Sequence, residues 1–222
     1  MKLIAPDSGR LVVFFVPEEV RPLGGFSVID FLNFITNEYS FVVYPDINDI
    51  KGDNSVLVFK YGSALVNDRN IGVREFHILQ SALIIDALTT EDAQAFLNNF
   101  WQVAQQFGYR EPVTPLRIRA FSSIIVEFDA DIEKYVDKLE NICNGLTRAV
   151  RDEYEITTPI SLKGISFAAD PSVLPANAIN TEFSIQRRLE MPYASNRYYC
   201  VGPFRTHVLT EIIQNIETML RS

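Results

Sequence analysis

Histidine, cysteine and tryptophan are scarce in this chain of 222 residues, which has two, two and one of them. Two histidines, His77 and His207, exclude a histidine-rich metal site, and no metal is expected. His77 falls in a strand pattern and reads as an ordinary hydrogen-bonded side chain. His207 falls in the first turn of the last helix, where the helix dipole disfavours its charged form. The cysteines, Cys143 and Cys200, lie in apolar segments with no ligand-type spacing between them. They read as buried free thiols in a reducing compartment.

Long apolar runs are missing as well. Leu11–Val16 (LVVFFV) has six residues, far short of the roughly 18 that a membrane span needs. The start MKLIAPDSGR lacks a signal-peptide core. The expectation is a cytoplasmic protein with no membrane partner. The phosphate-cradling patterns GxGxxG and GxxxxGK[ST] do not occur, nor do GxSxG and HExxH. Gly24-Gly25 stands alone. No catalytic residue and no cofactor is assigned, and the expectation leans away from an enzyme.

Basic charge is also in short supply. There are 20 Lys and Arg against 28 Asp and Glu, a net charge of −8. The acidity is concentrated in the middle of the chain: residues 1–74 carry a net −2, residues 75–159 a net −7 and residues 160–222 a net +1. Nucleic-acid binding needs a basic footprint, so this balance argues against it. Acidity of this kind serves solubility.

What is present is patterning. Hydrophobic residues make up 47% and include 16 Phe, enough for a core that needs no staple. The strongest pattern runs from Phe76 to Phe128. Val73–Leu79 and Ala82–Leu88 read as a hairpin, interrupted by Asp86. A carboxylate inside ALIIDAL must be paired or lie at a strand end. Thr89 then caps a helix whose apolar stripe is Ala93, Phe96, Leu97, Phe100, Trp101, Ala104 and Phe107. Gly108 ends it. Ile118–Phe128 is the next strand, with Ser122, Ile124, Val126 and Phe128 on one face.

Two more segments follow the same strand–cap–helix plan. IIVEF-DAD leads to a helix with stripe Ile132, Tyr135, Val136, Leu139, Ile142 or Cys143, Leu146 and Val150. YYCV-GPFRT leads to a helix capped by Thr206, with Leu209, Ile212, Ile213, Ile216, Met219 and Leu220. Earlier, Ser55–Tyr61 and Ala64–Asn67 read as strands paired across Gly62-Ser63. The helix FSVIDFLNFITNEY, capped at Ser27, is apolar on nearly every side, which suits deep burial or a subunit contact.

The fold class expected is α+β, with antiparallel sheets, helices packed on one face and repeated strand–cap–helix units. The expected domain is 1–222 as one compact chain, divisible into lobes 1–111 and 112–222. The expected core is Phe96, Leu97, Phe100, Trp101, Ile124, Val126, Leu139, Ile185, Ile212 and Ile216.

One basic cluster stands out. In TEFSIQRRLEMPYASNRYYCVGPFRT, a turn over Met191–Asn196 would pair Glu190 with Arg197 and set Arg188 opposite Tyr199. Arg188, Glu190, Arg197 and Tyr199 then share one face, while Ile185, Leu189, Tyr198 and Cys200 share the other with Arg187. Arg205 follows at a helix start. Arg187, Arg188, Arg197 and Arg205 are the candidate ligand-binding residues, for a phosphate or carboxylate. The competing expectation is structural, with Arg188 and Arg197 flanking Glu190 and Arg187 on an acid such as Asp86 or Glu127. Arg117 and Arg119 line a polar sheet face.

The block EFSIQRRLEMPYASNRYYCVGPFRT, with ALIIDALTTEDAQAFL and FSSIIVEFDAD upstream, resembles a sporadically distributed family of bacterial proteins of unknown function. The resemblance spans roughly the last two-thirds of the chain and implies an accessory role, on mobile elements or in defence. The expectations for function are a binding or interaction protein with a protein partner or a second copy of itself, or a domain for an anionic small molecule or nucleotide built on the arginines, or a component of a larger assembly. The long loop 169–180 fits the first.

Overall fold

A computed structural model describes residues 1–22, 27–46, 56–112, 115–129, 132, 137–154, 161–168, 182–188 and 190–221. The Gly24-Gly25 turn, the 169–180 loop, Asp131, Tyr135, Val136 and Leu189 lie outside them, as do the side chains of Leu139 and Val150. Eight antiparallel strands and five helices among the described residues make an α+β fold. The chain forms two compact units.

The first unit comprises Pro6–Ser122 and Phe204–Thr206. Its strands are β1 (Lys2–Phe14, entering at Pro6), β2 (Leu57–Val66), β3 (Arg69–Ile78), β4 (Ala82–Ala87) and the first half of β5 (Arg117–Glu127). They are hydrogen-bonded in the order β2-β3-β4-β1-β5. Helices α1 (Pro17–Val20), α2 (Val28–Glu38) and α3 (Thr90–Gln105) complete it. The hairpin β3–β4 forms with Phe76 opposite Ile85 and Glu75 opposite Asp86. The Thr89 hydroxyl accepts from the Asp92 N–H at 3.0 Å, the predicted cap of α3.

The α3 stripe is buried from Ala93 to Ala104, with Phe107 packed at its margin. Phe76 meets Phe96 at 5.2 Å and Phe100 at 4.9 Å between ring centroids, both edge-on. Edge-on rings place positive rims against negative faces, which adds to the burial of their area. α2 buries Phe31, Leu32 and Ile35 in the same core and leaves Val28 and Ile29 exposed, so it is sided rather than sunk.

Two strand readings change. Gly62-Ser63 is no turn: β2 runs through it, and the reversal falls at Asn67-Asp68, both in the left-handed region (φ 51° and 61°). A Cβ on Gly62 would lie 2.4 Å from the Phe41 ring, so its glycine serves that close approach. β1 begins at Lys2, well before LVVFFV. Its pairing with β4 covers only Gly9–Phe14. Pro6 therefore owes no donor to β4 and is tolerated.

The second unit comprises Met1–Ala5, Ser123–Pro203 and His207–Ser222. It holds the ends of β1 and β5, then α4 (Asp137–Tyr154), β6 (Gly164–Phe167), β7 (Phe183–Arg187), β8 (Arg197–Gly202) and α5 (Thr206–Arg221, from His207 on). The order is β1-β5-β8-β7-β6. Its buried residues include Ile124, Val126, Phe128, Ile132, Ile185, Tyr198 and Cys200. Two expectations about helix faces are corrected. On α4, Cys143 turns inward, while Ile142 (57%) and Leu146 (49%) are exposed. On α5, Leu209 and Ile213 are buried, Ile212, Ile216 and Leu220 only half so, and Met219 is exposed. A stripe with several apolar choices per turn leaves the rotation of the helix open, and packing selects it.

Candidate functional site

The four arginines have different surroundings. Arg187 is 4% exposed. Its Nε donates to the Leu162 carbonyl at 2.8 Å and its Nη1 to the Tyr193 carbonyl at 3.2 Å. Its guanidinium lies 4.5 Å from the Tyr193 ring centre and 5.3 Å from that of Tyr198. The cation is thus held by carbonyl dipoles and ring faces rather than by Asp86 or Glu127. Arg188 lies 3.5 Å from Glu190, and Arg197 donates from Nε to Glu127 at 3.1 Å. Arg205, in the first unit, donates to the Gln94 side-chain carbonyl at 3.3 Å.

The register of β7 and β8 differs from the expected one by two residues. Arg187 is opposite Tyr198 and Gln186 opposite Tyr199. The Arg188 N–H donates to the Arg197 carbonyl at 3.0 Å, so these two are direct neighbours. The cause is the turn: Tyr193–Ser195 forms a 3₁₀ turn, and Asn196 takes a left-handed conformation (φ 49°). A shift of two keeps every side chain on its face. Ile185, Arg187, Tyr198 and Cys200 are accordingly all buried.

Asp86 is paired across the β1–β4 ladder. Arg10 bonds its Oδ2 from Nη2 at 2.6 Å and from Nε at 3.1 Å. This pair ends a charged row on the sheet face away from α3. Lys60 bonds Glu75 at 2.8 Å across β2–β3, and Glu75 sits opposite Asp86 across β3–β4. His77 Nε2 lies 3.0 Å from Glu75 Oε2. The hydrogen bonds from Lys60 and then His77 lower the Glu75 pKa, and its contact with Glu75 raises that of Lys60. Asp86 Oδ1 has no hydrogen-bond partner. This row contains no serine, threonine or cysteine. Among the described residues, no group of three or more His, Cys, Asp or Glu is placed to hold a metal. Burial pushes the Cys200 thiol up to about 12, which removes it as a nucleophile.

The first unit also contains an apolar recess of about 170 Å³ that the sequence did not signal. Phe31 and Leu32 of α2, Phe100 and Trp101 of α3, and Leu83 of β4 form its walls. Its polar lining is Arg21, Gln80 and Tyr109. Each wall residue reads as ordinary core in its own pattern; only the meeting of α1, α2, α3 and the β3–β4 turn leaves space between them. The Arg110 N–H, on the Val20 carbonyl at 3.4 Å, ties the chain after α3 to α1. Tyr109 stacks on Phe31 at 4.4 Å, and burial raises its phenol pKa, which keeps it protonated. No family model and no curated protein matches this chain.

Proposed function

We propose that this chain is a non-enzymatic binding protein and that the recess at Trp101 is where it binds. The supporting observation is the lining: apolar walls with no carboxylate, histidine or thiol among the described residues that form it. Such a site offers shape and desolvation, and no proton transfer or nucleophilic attack. An apolar cavity of ~150 Å³ accommodates benzene, so about 170 Å³ suits a single ring. Trp101 is the sole tryptophan, so its emission reports occupancy without labelling. Titration with toluene should give a saturable change in Trp101 emission and a rise in the thermal midpoint. Neither effect up to the solubility limit of toluene would refute the proposal.

An anion site is the second reading, supported by Arg188 and Arg197, which are cross-strand neighbours and only half-buried. Arg187 and Arg205 belong to the same sequence cluster. A phosphate titration compared between the native protein and Arg197→Ala tests it; equal responses would end it. A partner protein, a second copy or a larger assembly is the third reading. Val43 pairs with Lys60 on the outer margin of β2, and Val42, Tyr44, Tyr61 and Leu65 are exposed there. A monomeric mass at high concentration, with no partner captured, would count against it.

The strand–cap–helix plan serves in this proposal as scaffold. β4 leads through Thr89 into α3, and β8 leads through Pro203–Arg205 into α5. The first helical residues of α3 and α5 exchange bonds. The Thr90 N–H donates to the Thr206 hydroxyl at 3.0 Å and the Thr206 N–H to the Thr90 hydroxyl at 2.8 Å. Thr206 is therefore inside α5, and its hydroxyl serves a neighbouring helix start.

A further inference from the structure

We propose that the recess selects a small monoanion: one apolar ring or short chain carrying a single carboxylate, with the carboxylate on Arg21. The inference rests on the recess being a binding site and adds the class of ligand. Among the described residues, Arg21 is the one charged residue in the lining. It directly follows α1, where its N–H bonds the Pro17 carbonyl. Its side chain is exposed, and no carboxylate among the described residues pairs with it, although Glu18 and Glu19 sit on the same short helix. The other arginines described at possible sites, including Arg10, Arg187, Arg188, Arg197 and Arg205, all bond an acceptor within the chain.

The remaining polar lining agrees with an acceptor at the rim. The Tyr109 phenol stays protonated and can donate, and the Gln80 amide can do so from the β3–β4 turn. A carboxylate placed deep against Phe31, Phe100 and Trp101 would lose its hydration with no partner. The favourable pose puts the apolar body inside and the charge at the mouth. A cationic analogue would meet Arg21 as a like charge. The net charge of −8 repels anions at long range, so any preference for one must come from this local contact.

The test uses toluene, 4-methylbenzoate and 4-methylbenzylammonium, three ligands with the same body and different charge, read by Trp101 emission. The variant is Arg21→Gln, a change at an exposed side chain that leaves the core alone. In the native protein 4-methylbenzoate should bind roughly fivefold more tightly than toluene, the size expected of an exposed charge pair, and the ammonium more weakly than either. In Arg21→Gln the ratio of 4-methylbenzoate to toluene affinity should fall to about one or below. Toluene binding with no carboxylate preference, or a preference that survives Arg21→Gln, overturns the monoanion assignment and leaves the recess as a binding site. No saturable response to any of the three overturns both.

Discussion

Replacing Arg187 measures how much of the second unit depends on a buried cation. Arg187→Ala removes two charge-assisted hydrogen bonds, to the Leu162 and Tyr193 carbonyls, each of order 1.5–3 kcal/mol. It also removes the stacking on Tyr193 and Tyr198, about 1 kcal/mol, and vacates the volume of a buried side chain. Two effects oppose these. The desolvation cost of the cation disappears, and both carbonyls belong to residues that are not fully buried, so water can reach them. The net loss expected is ~2–4 kcal/mol.

Arg187→Met keeps most of the side-chain volume and loses only the polar contacts. It should cost ~1–2 kcal/mol. The assay is urea unfolding followed by far-ultraviolet circular dichroism. Trp101 lies in the first unit and Arg187 in the second, so comparing Trp101 emission with circular dichroism shows whether the units unfold together. With a slope of ~2 kcal/mol per M, Arg187→Ala should lower the midpoint by about 1–2 M. A midpoint within about 0.2 M of the native one would refute the reasoning, because the guanidinium would then contribute almost nothing to the fold.

Four other outcomes follow. Gly9→Ala would place a Cβ 2.1 Å from the Thr89 carbonyl carbon and the Thr90 nitrogen; it should displace the start of α3 and cost ~3 kcal/mol or more, and normal stability would show that β1 and α3 do not approach so closely. The Thr90 and Thr206 hydroxyls lie 3.2 Å apart, so Thr90→Val and Thr206→Val should be non-additive in unfolding, with a coupling of ~0.5–2 kcal/mol, whereas strict additivity would contradict that hydroxyl–hydroxyl bond. The lowered Glu75 pKa makes its stabilisation fully present above the unfolded carboxylate value and lost as pH falls through the folded one. Glu75→Gln should therefore flatten the acid limb of stability against pH, and an unchanged limb would exclude the Lys60 contact as its cause. Cys200, pushed up to about 12 and buried, should resist a thiol reagent at pH 8 in the folded protein and react once it is unfolded in urea; rapid labelling of the folded protein would contradict its burial.

Charge pairing was only partly legible from the chain. Asp86 inside ALIIDAL announced that it needed a partner, but not that Arg10 would supply it, because that pair joins strands 76 positions apart. Arg187 and Arg188 are adjacent in sequence and opposite in fate. Alternation predicts that they face opposite sides, and β7 buries one and leaves the other half-exposed. What Arg187 would bond was set by Leu162 and Tyr193, brought to it by strand pairing and by the turn before β8.

The sequence by itself determined what depends on neighbours a few residues apart. The α3 stripe and its Thr89 cap, the β3–β4 hairpin and the alternation of β5 follow from the periods 3.6 and 2 and from capping chemistry. The tertiary structure decided what depends on approach between distant segments. It set the reversal at the left-handed pair Asn67-Asp68 rather than at Gly62-Ser63, and it packed the Phe41 ring against the glycine that had looked like a turn. It set the β7–β8 register through the left-handed Asn196. It also left open the recess at Trp101, whose walls each carry an ordinary core pattern. Periodicity says which face of an element turns inward; only the packing of several such faces says where they fail to fill the space between them.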